Sequence, residues 1–166
     1  MKVLETARLN LRQLTLHDSP FFLAIMNEPA FIRNVADRGL RTPADAASYI
    51  AEKIFPSYEE FGFGMYVVEL KDTGQPVGTC GLLKRPTMED VDIGYAFLSE
   101  FWGKGYAFEA AVAVMDYGRN VLGLPKIVAL TSPQNESSIK LLEKLGMRFE
   151  RLIQVPGWEG ESKLFV

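Results

Sequence analysis

The chain predicts a single-domain α/β fold of the mixed, α+β kind over residues 1–166, with a mostly antiparallel sheet of six to seven strands and about four helices. Three observations carry this expectation. Apolar, β-branched runs at about 63–70, 76–84 and 90–98 are separated by Asp72-Thr73-Gly74 and by Pro86-Thr87, which is turn chemistry and gives an antiparallel meander. Residues 91–131 then read strand, helix, strand, the one place where a crossover helix makes parallel pairing natural. The length suits one core, because a chain of this size buries roughly 70% of the surface it exposes when unfolded.

The first strand falls at about 8–14. Thr15 caps the next helix, with Asp18 at its third position and Phe21, Phe22 and Ile25 turned inward. A second helix opens on Thr42 as cap, Pro43 in the first turn and Asp45 against the helix dipole; Ala46, Tyr49, Ile50 and Ile54 form its apolar stripe. In the strand from Val91 to Leu98, the side chains of Asp92, Gly94 and Ala96 alternate onto one nearly bare face, and Val91, Ile93, Tyr95 and Phe97 onto the other. Ala107, Ala110, Ala111, Val114, Tyr117, Gly118 and Val121 recur at helical spacing within 104–122, and Gly123 and Pro125 stop that helix. A strand at 126–131, a helix at 134–145 closed by Gly146, a strand at about 147–155 and a last one near 161–165 complete the order.

Composition excludes several classes. Hydrophobic residues at 48% and charged residues at 23% are ordinary globular values. Neither a membrane-length apolar run nor a signal peptide is present, so the expected location is cytoplasmic, with no membrane partner. A net charge of −3 argues against a general nucleic-acid binder, while Lys104, Lys140 and Lys144 leave room for a local basic patch. Cys80 is the one cysteine and sits in an apolar strand pattern; the one histidine, His17, lies far from it in a polar helix start. Neither a disulfide, nor a cysteine nucleophile with its base, nor a metal site is expected.

The stretch FWGKGYAFEA at 101–110 carries the chemistry. Gly103 and Gly105 bracket Lys104 where a short loop turns straight into a helix. A helix start has four unpaired backbone N–H groups and a partial positive charge, so glycines that admit close backbone approach make it a cradle for a diphosphate. A dinucleotide fold wants GxGxxG directly after the first strand, and the third glycine is absent; a GxxxxGK P-loop followed by Ser or Thr occurs nowhere in the chain.

The spacing Trp102-Gly103-Lys104-Gly105-Tyr106-Ala107 resembles the acyl-coenzyme A signature of the GNAT N-acetyltransferases, Gln or Arg followed by xxGxG/A, with Trp102 in place of the Gln or Arg. Residues 5–15 (ETARLNLRQLT), 93–98 (IGYAFL) and 135–147 (NESSIKLLEKLGM) are similar to the branch that contains the ribosomal-protein N-terminal, or Rim-type, acetyltransferases. The resemblance implies the GNAT fold, in which the strands at about 90–98 and 126–131 splay apart and hold acyl-CoA. The cosubstrate would be acetyl-CoA, without a metal. Its contacts would come from Tyr95, Ala96, Phe97 and Leu98, from Trp102, Gly103, Lys104, Gly105, Tyr106 and Ala107, and from Asn135 and Ser138. In the family a tyrosine one position before the EKLG run often acts as general acid; Leu142 stands there in this chain.

The reaction this resemblance implies is transfer of an acetyl group directly to a primary amine in a ternary complex, the acceptor being a protein N-terminal α-amine or a small-molecule amine. An alkylammonium titrates near pH 10, so a base is needed. Asp92 is the first candidate and Glu89 and Asp90 are alternates, while a bulge in the strand would turn Asp92 away. Backbone N–H groups near Tyr95 and Ala96 are candidates to stabilise the oxyanion, and Ser138 is the nearest hydroxyl to protonate a thiolate of pKa about 8.5. Residues 29–62, with Phe31, Tyr49, Phe55, Tyr58 and Phe61 and the nearby Arg33, Arg38 and Arg41, form the expected acceptor wall. A homodimer is compatible with this plan. An acyl-CoA sensor without turnover is the alternative function, and a different nucleotide binder is the third.

Overall fold

The computed structural model describes residues 1–166 as one eight-stranded sheet with helices on both faces. The strands are β1 (Lys2–Glu5), β2 (Leu9–Gln13), β3 (Met65–Leu70), β4 (Pro76–Leu83), β5 (Val91–Phe97), β6 (Ile127–Thr131), β7 (Phe149–Ile153) and β8 (Ser162–Phe165). Their order across the sheet is β1-β2-β3-β4-β5-β6-β8-β7, and only β5 and β6 run parallel. The α/β class and the meander follow the sequence expectation. The count exceeds it by one strand, since β1 is four residues long and charged at both ends, with no alternation to read.

Six α-helices form where about four were expected. They are α1 (Ser19–Met26), α2 (Pro29–Asn34), α3 (Pro43–Tyr49), α4 (Phe55–Phe61), α5 (Tyr106–Asn120) and α6 (Glu136–Lys144). Thr42 caps α3 reciprocally with Asp45: the Asp45 N–H donates to Thr42 Oγ1 at 3.1 Å and the Thr42 N–H to Asp45 Oδ2 at 3.1 Å. The stripe that continues through Ile54 is not one regular helix. A π-helical turn, Ile50–Ile54, joins α3 to α4, just ahead of Pro56, which has no N–H to continue the ladder. After Thr15 the chain makes a 3₁₀ turn, Leu16–Asp18, before α1, and α2 is a six-residue helix started by Pro29.

The main core lies between the sheet and α5, with Leu9, Leu11, Val68, Leu82, Ile93 and Val114 in it. Helix α5 seats close: a Cβ at Gly118 would stand 2.6 Å from Ile127 Cδ1. A second core packs α1 and α3 against the opposite face through Phe22, Ile25, Ala46, Ile50 and Val67. Arg12 ties that layer to the sheet, donating to Asp18 Oδ1 and Oδ2 at 2.8 Å each and to Glu69 Oε2 at 3.0 Å.

Strand β5 decides where a site can form. Its register with β4 is unbroken from Gly78↔Phe97 to Leu83↔Asp92, so no bulge turns Asp92 away from the face it shares with Gly94 and Ala96. Its parallel ladder with β6 spans only Val91↔Ile127, Asp92↔Val128 and Ile93↔Ala129. From Gly94 onward β5 pairs with β4 alone, while Leu130 and Thr131 of β6 pair with β8 alone. The parallel strands therefore open into a split.

Candidate active site

The split widens into a cleft of about 920 Å³, lined by the end of β5, the loop 101–105, the start of α5, residues 132–144 and part of α2. Gly103 and Gly105 adopt φ of 76° and 81°, left-handed values that strain any residue with a Cβ. The backbone N–H groups from Gly103 through Phe108 donate to no backbone carbonyl or side chain of the protein, which leaves a convergent row of donors at the start of a 15-residue helix.

A distant segment braces this loop. Arg8 donates from Nη1 to the Lys104 carbonyl at 3.0 Å and from Nε to Glu109 Oε1 at 2.7 Å, and its guanidinium lies 4.5 Å from the centre of the Tyr106 ring. Glu109 also accepts from the Thr6 hydroxyl and the Arg8 N–H. Burial would raise the Glu109 carboxyl, but the hydrogen bonds from Thr6 and Arg8 outweigh it and hold the group below its ordinary value. Trp102 closes the loop from the other side, its indole N–H donating to the Phe97 carbonyl at 2.9 Å. The residue standing in for Gln or Arg is thus engaged with the end of β5.

Of the residues expected to hold acyl-CoA, Tyr95, Ala96, Phe97, Trp102, Gly103, Gly105, Tyr106, Ala107, Asn135 and Ser138 line the cleft. Leu98 and Lys104 lie outside it. Leu98 sits on the β4 side, with its N–H on the Val77 carbonyl at 3.0 Å and its side chain against the second core. Lys104 is exposed between the two left-handed glycines. Lys140 and Lys144 do reach the cleft, and Lys144 Nζ stands 4.2 Å from the Phe108 ring centre.

The Leu98 N–H bond also fixes the phase of β5. Even-numbered residues exchange main-chain bonds with β4, so the amide of Ala96 is turned to β4, while the main chains of Tyr95 and Phe97 face the split. The expected oxyanion donors shift accordingly from Ala96 to Phe97, with Tyr95 retained.

Helix α6 begins at Asn135, whose Oδ1 accepts from the Ser138 N–H at 3.3 Å. Ser138 Oγ lies 2.7 Å from the phenol oxygen of Tyr95. Burial pushes the Tyr95 phenol up to about 12, partly offset by the Ser138 bond. Leu142, at the position of the family tyrosine, is fully buried in the main core. The phenol near this serine comes from β5 instead, a pairing that the alternation of Tyr95 with Ile93 and Phe97 toward the α6 side could have flagged.

Asp92 lies beside the cleft in a smaller pocket of about 200 Å³ that shares Tyr95, Ala96, Ser132, Asn135 and Ser138 with it. Only 2% exposed, Asp92 accepts from Arg85 Nε at 3.0 Å and Nη2 at 3.3 Å, and Arg85 lies 4.8 Å from the Trp158 ring centre. Burial raises the Asp92 carboxyl above its usual range and Arg85 only partly opposes this. Glu89 and Asp90 line neither cavity, and Asp90 lies 3.7 Å from Lys126. The expected acceptor wall divides: Arg33 lines the cleft, Tyr49 and Arg38 the pocket, and Phe31 both. Phe55 and Tyr58 belong to the core, Phe61 stacks on Phe63, and Arg41 pairs with Asp37 at 2.7 Å. Cys80 is buried and His17 exposed. No cluster of three or more His, Cys, Asp or Glu residues suited to a metal ion occurs, and no helix is long and apolar enough to cross a membrane.

A row of unpaired backbone amides thus lies beside a split parallel pair, an arrangement with room for an acyl-CoA. The profile of the family described as "Acetyltransferase (GNAT) domain" matches residues 8–148, and the chain belongs to that family. It is an N-acetyltransferase, in keeping with relatives such as the Bacillus subtilis (strain 168) protein "Uncharacterized N-acetyltransferase YoaA", 31% identical over 153 residues, 92% of this chain and 86% of that one. Spermidine N(1)-acetyltransferase of Escherichia coli (strain K12) is 43% identical over 51 residues, 31% of this chain and 27% of its own. Among solved structures, an acetyltransferase from Agrobacterium tumefaciens str. C58 superposes with a TM-score of 0.83 at 28% identity, covering 99% of this chain and 92% of that one. RimL, a ribosomal L7/L12 α-N-protein acetyltransferase in complex with coenzyme A, superposes with a TM-score of 0.83 over 99% of this chain and 96% of its own; at 14% identity the likeness is one of fold.

Proposed function

We propose that the protein moves an acetyl group from acetyl-CoA directly onto a primary amine, with both substrates bound together. The carrying observation is the row of unpaired amides from Gly103 to Phe108 at the mouth of the β5–β6 split. Acetyl-CoA, when bound, supplies an activated acyl thioester, and its diphosphate is the kind of anion that a helix start takes. The residues that fit it are Trp102, Gly103, Gly105, Tyr106 and Ala107 around the amides, Lys140 and Lys144 as flanking cations, and Tyr95, Ala96, Phe97 and Asn135 along the split.

The main-chain N–H groups of Tyr95 and Phe97 donate to an oxygen that gains negative charge during transfer. Asp92 takes the proton that the amine must lose; its raised pKa makes it a stronger base than an ordinary carboxylate, and Arg85 limits that rise. Ser138, with the Tyr95 phenol behind it, gives a proton to the departing thiolate. Cys80 takes no part: burial pushes its thiol pKa up and no base adjoins it, which favours direct transfer over an acyl-enzyme. Of the two acceptor classes, the small volume of the pocket beside Ser138 favours a small-molecule amine over a protein N-terminus.

Two measurements test this. Acetyl-CoA raises Tm more than NAD or ATP at equal concentration, and free thiol appears only when an amine is supplied. A larger shift with NAD or ATP overturns the site assignment; a shift with acetyl-CoA but no thiol release from any amine marks an acyl-CoA sensor instead.

A further inference from the structure

The pocket beside the cleft has an uneven charge. Its lining holds two cations, Arg38 and Arg85, and one acid, Asp92. Both Asp92 oxygens are held by Arg85 through Nε and Nη2, and the carboxylate is almost wholly buried. Arg85 Nη1 donates to no protein acceptor, although the guanidinium is fixed by Asp92 on one edge and by the Trp158 ring. Arg38 has neither an ion pair nor a hydrogen bond and is exposed at the pocket's lining. A fixed guanidinium with a free edge is a preorganised partner for a planar anion. The remaining walls mix apolar side chains, including Phe22, Tyr49, Met65 and Leu83, with uncharged polar ones such as Asn34 and Thr79. A polyamine would need free carboxylates here, and the pocket has none.

We infer that the acceptor is a small amine that carries a carboxylate, an amino-acid-like molecule whose acid group docks on Arg85 and Arg38 while its amine faces Tyr95, Ala96 and Ser138. This rests on the amine-acetylation reading. The acceptor N–H gives its proton to Asp92, the new bond joins nitrogen to the acetyl carbon, and the carbon–sulfur bond breaks to leave the thiol. Apolar side chains suit the part of the wall formed by Phe22, Tyr49, Met65 and Leu83.

The test measures thiol release with acetyl-CoA for leucine, methionine and phenylalanine, each beside its carboxamide and its decarboxylated amine, with spermidine as a further acceptor. At least one amino acid is expected to show kcat/KM at least tenfold above both of its counterparts and above spermidine. Arg38→Gln, at an exposed and unpaired position, lowers that ratio at least threefold, and Arg85→Gln brings it close to one. Because the ratio is internal to each variant, a partly misfolded fraction does not move it. A carboxamide, decarboxylated amine or spermidine that matches the acids overturns the inference and leaves acetyl transfer standing, as does an unchanged ratio in both variants. Absence of thiol release with every one of these amines overturns both.

Discussion

The hydroxyl oxygens of Tyr95 on β5 and Ser138 on α6 stand 2.7 Å apart, bridging the two sides of the split across 43 residues of sequence. With its pKa at about 12, the phenol keeps its proton, and whenever it donates to Ser138 Oγ it leaves the serine proton free for the cleft. Tyr95→Phe is expected to lower kcat about tenfold and Ser138→Ala about a hundredfold, with KM for acetyl-CoA nearly unchanged. Steady-state kinetics from pH 6 to 9 check this: the Tyr95→Phe deficit stays constant with pH, because the phenol does not titrate there. A loss confined to KM would assign the pair to packing.

Asp92→Asn should lower kcat about a hundredfold and leave acetyl-CoA binding intact. In the parent protein, kcat rises with pH as Asp92 gives up its proton, with a midpoint above the usual carboxyl range because burial raises it. The pH–rate profile of the variant loses that limb. Persistence of the same limb would remove Asp92 from the role of base.

Gly105→Glu brings a side chain and a negative charge to a residue at φ 81°, among unpaired amides. The Tm rise caused by acetyl-CoA should disappear. Gly105→Ala carries the left-handed strain, about 1 kcal/mol, together with a Cβ 3.3 Å from Arg8 Nη2, and retains a reduced rise. Calorimetric affinities for both variants decide the placement.

Acid should loosen the α1 layer. Burial would raise the Asp18 carboxyl, yet its hydrogen bonds from Arg12 and Thr15 and the Arg12 charge together hold it below its ordinary value. A depressed carboxyl contributes stability above its unfolded pKa and loses it as pH falls through the folded value. Thermal melts from pH 7 down to 2 should show this loss, and Arg12→Ala, which strands Asp18 and Glu69, should cost about 3 kcal/mol at pH 7. A pH-independent Tm in this range would contradict it.

Much of the site was legible because its signals are local. The left-handed glycines at 103 and 105, the helix after them, the two faces of β5 and the Thr42–Asp45 cap each depend on residues a few positions apart. What escaped is what folding brings from afar. Arg8 reaches the Lys104 carbonyl from 96 residues away, and Arg85 meets Trp158 from another loop, with no spacing in the chain to announce either contact. Leu98 and Lys104 fell outside the cleft for a related reason: motif proximity places a residue in a loop, and strand phase or loop curl decides which way it faces. The π turn before Pro56 broke a stripe whose apolar period reads straight through it.

Three residue pairs, Val91 to Ile93 against Ile127 to Ala129, form the whole ladder between the first five strands and the last three. The sheet is in effect two leaves joined by a short seam, and a cosubstrate lodged beyond that seam would rivet them. Amide hydrogens in β6 and β8 should therefore exchange more slowly when acetyl-CoA is present, while those of β2 and β3 change little.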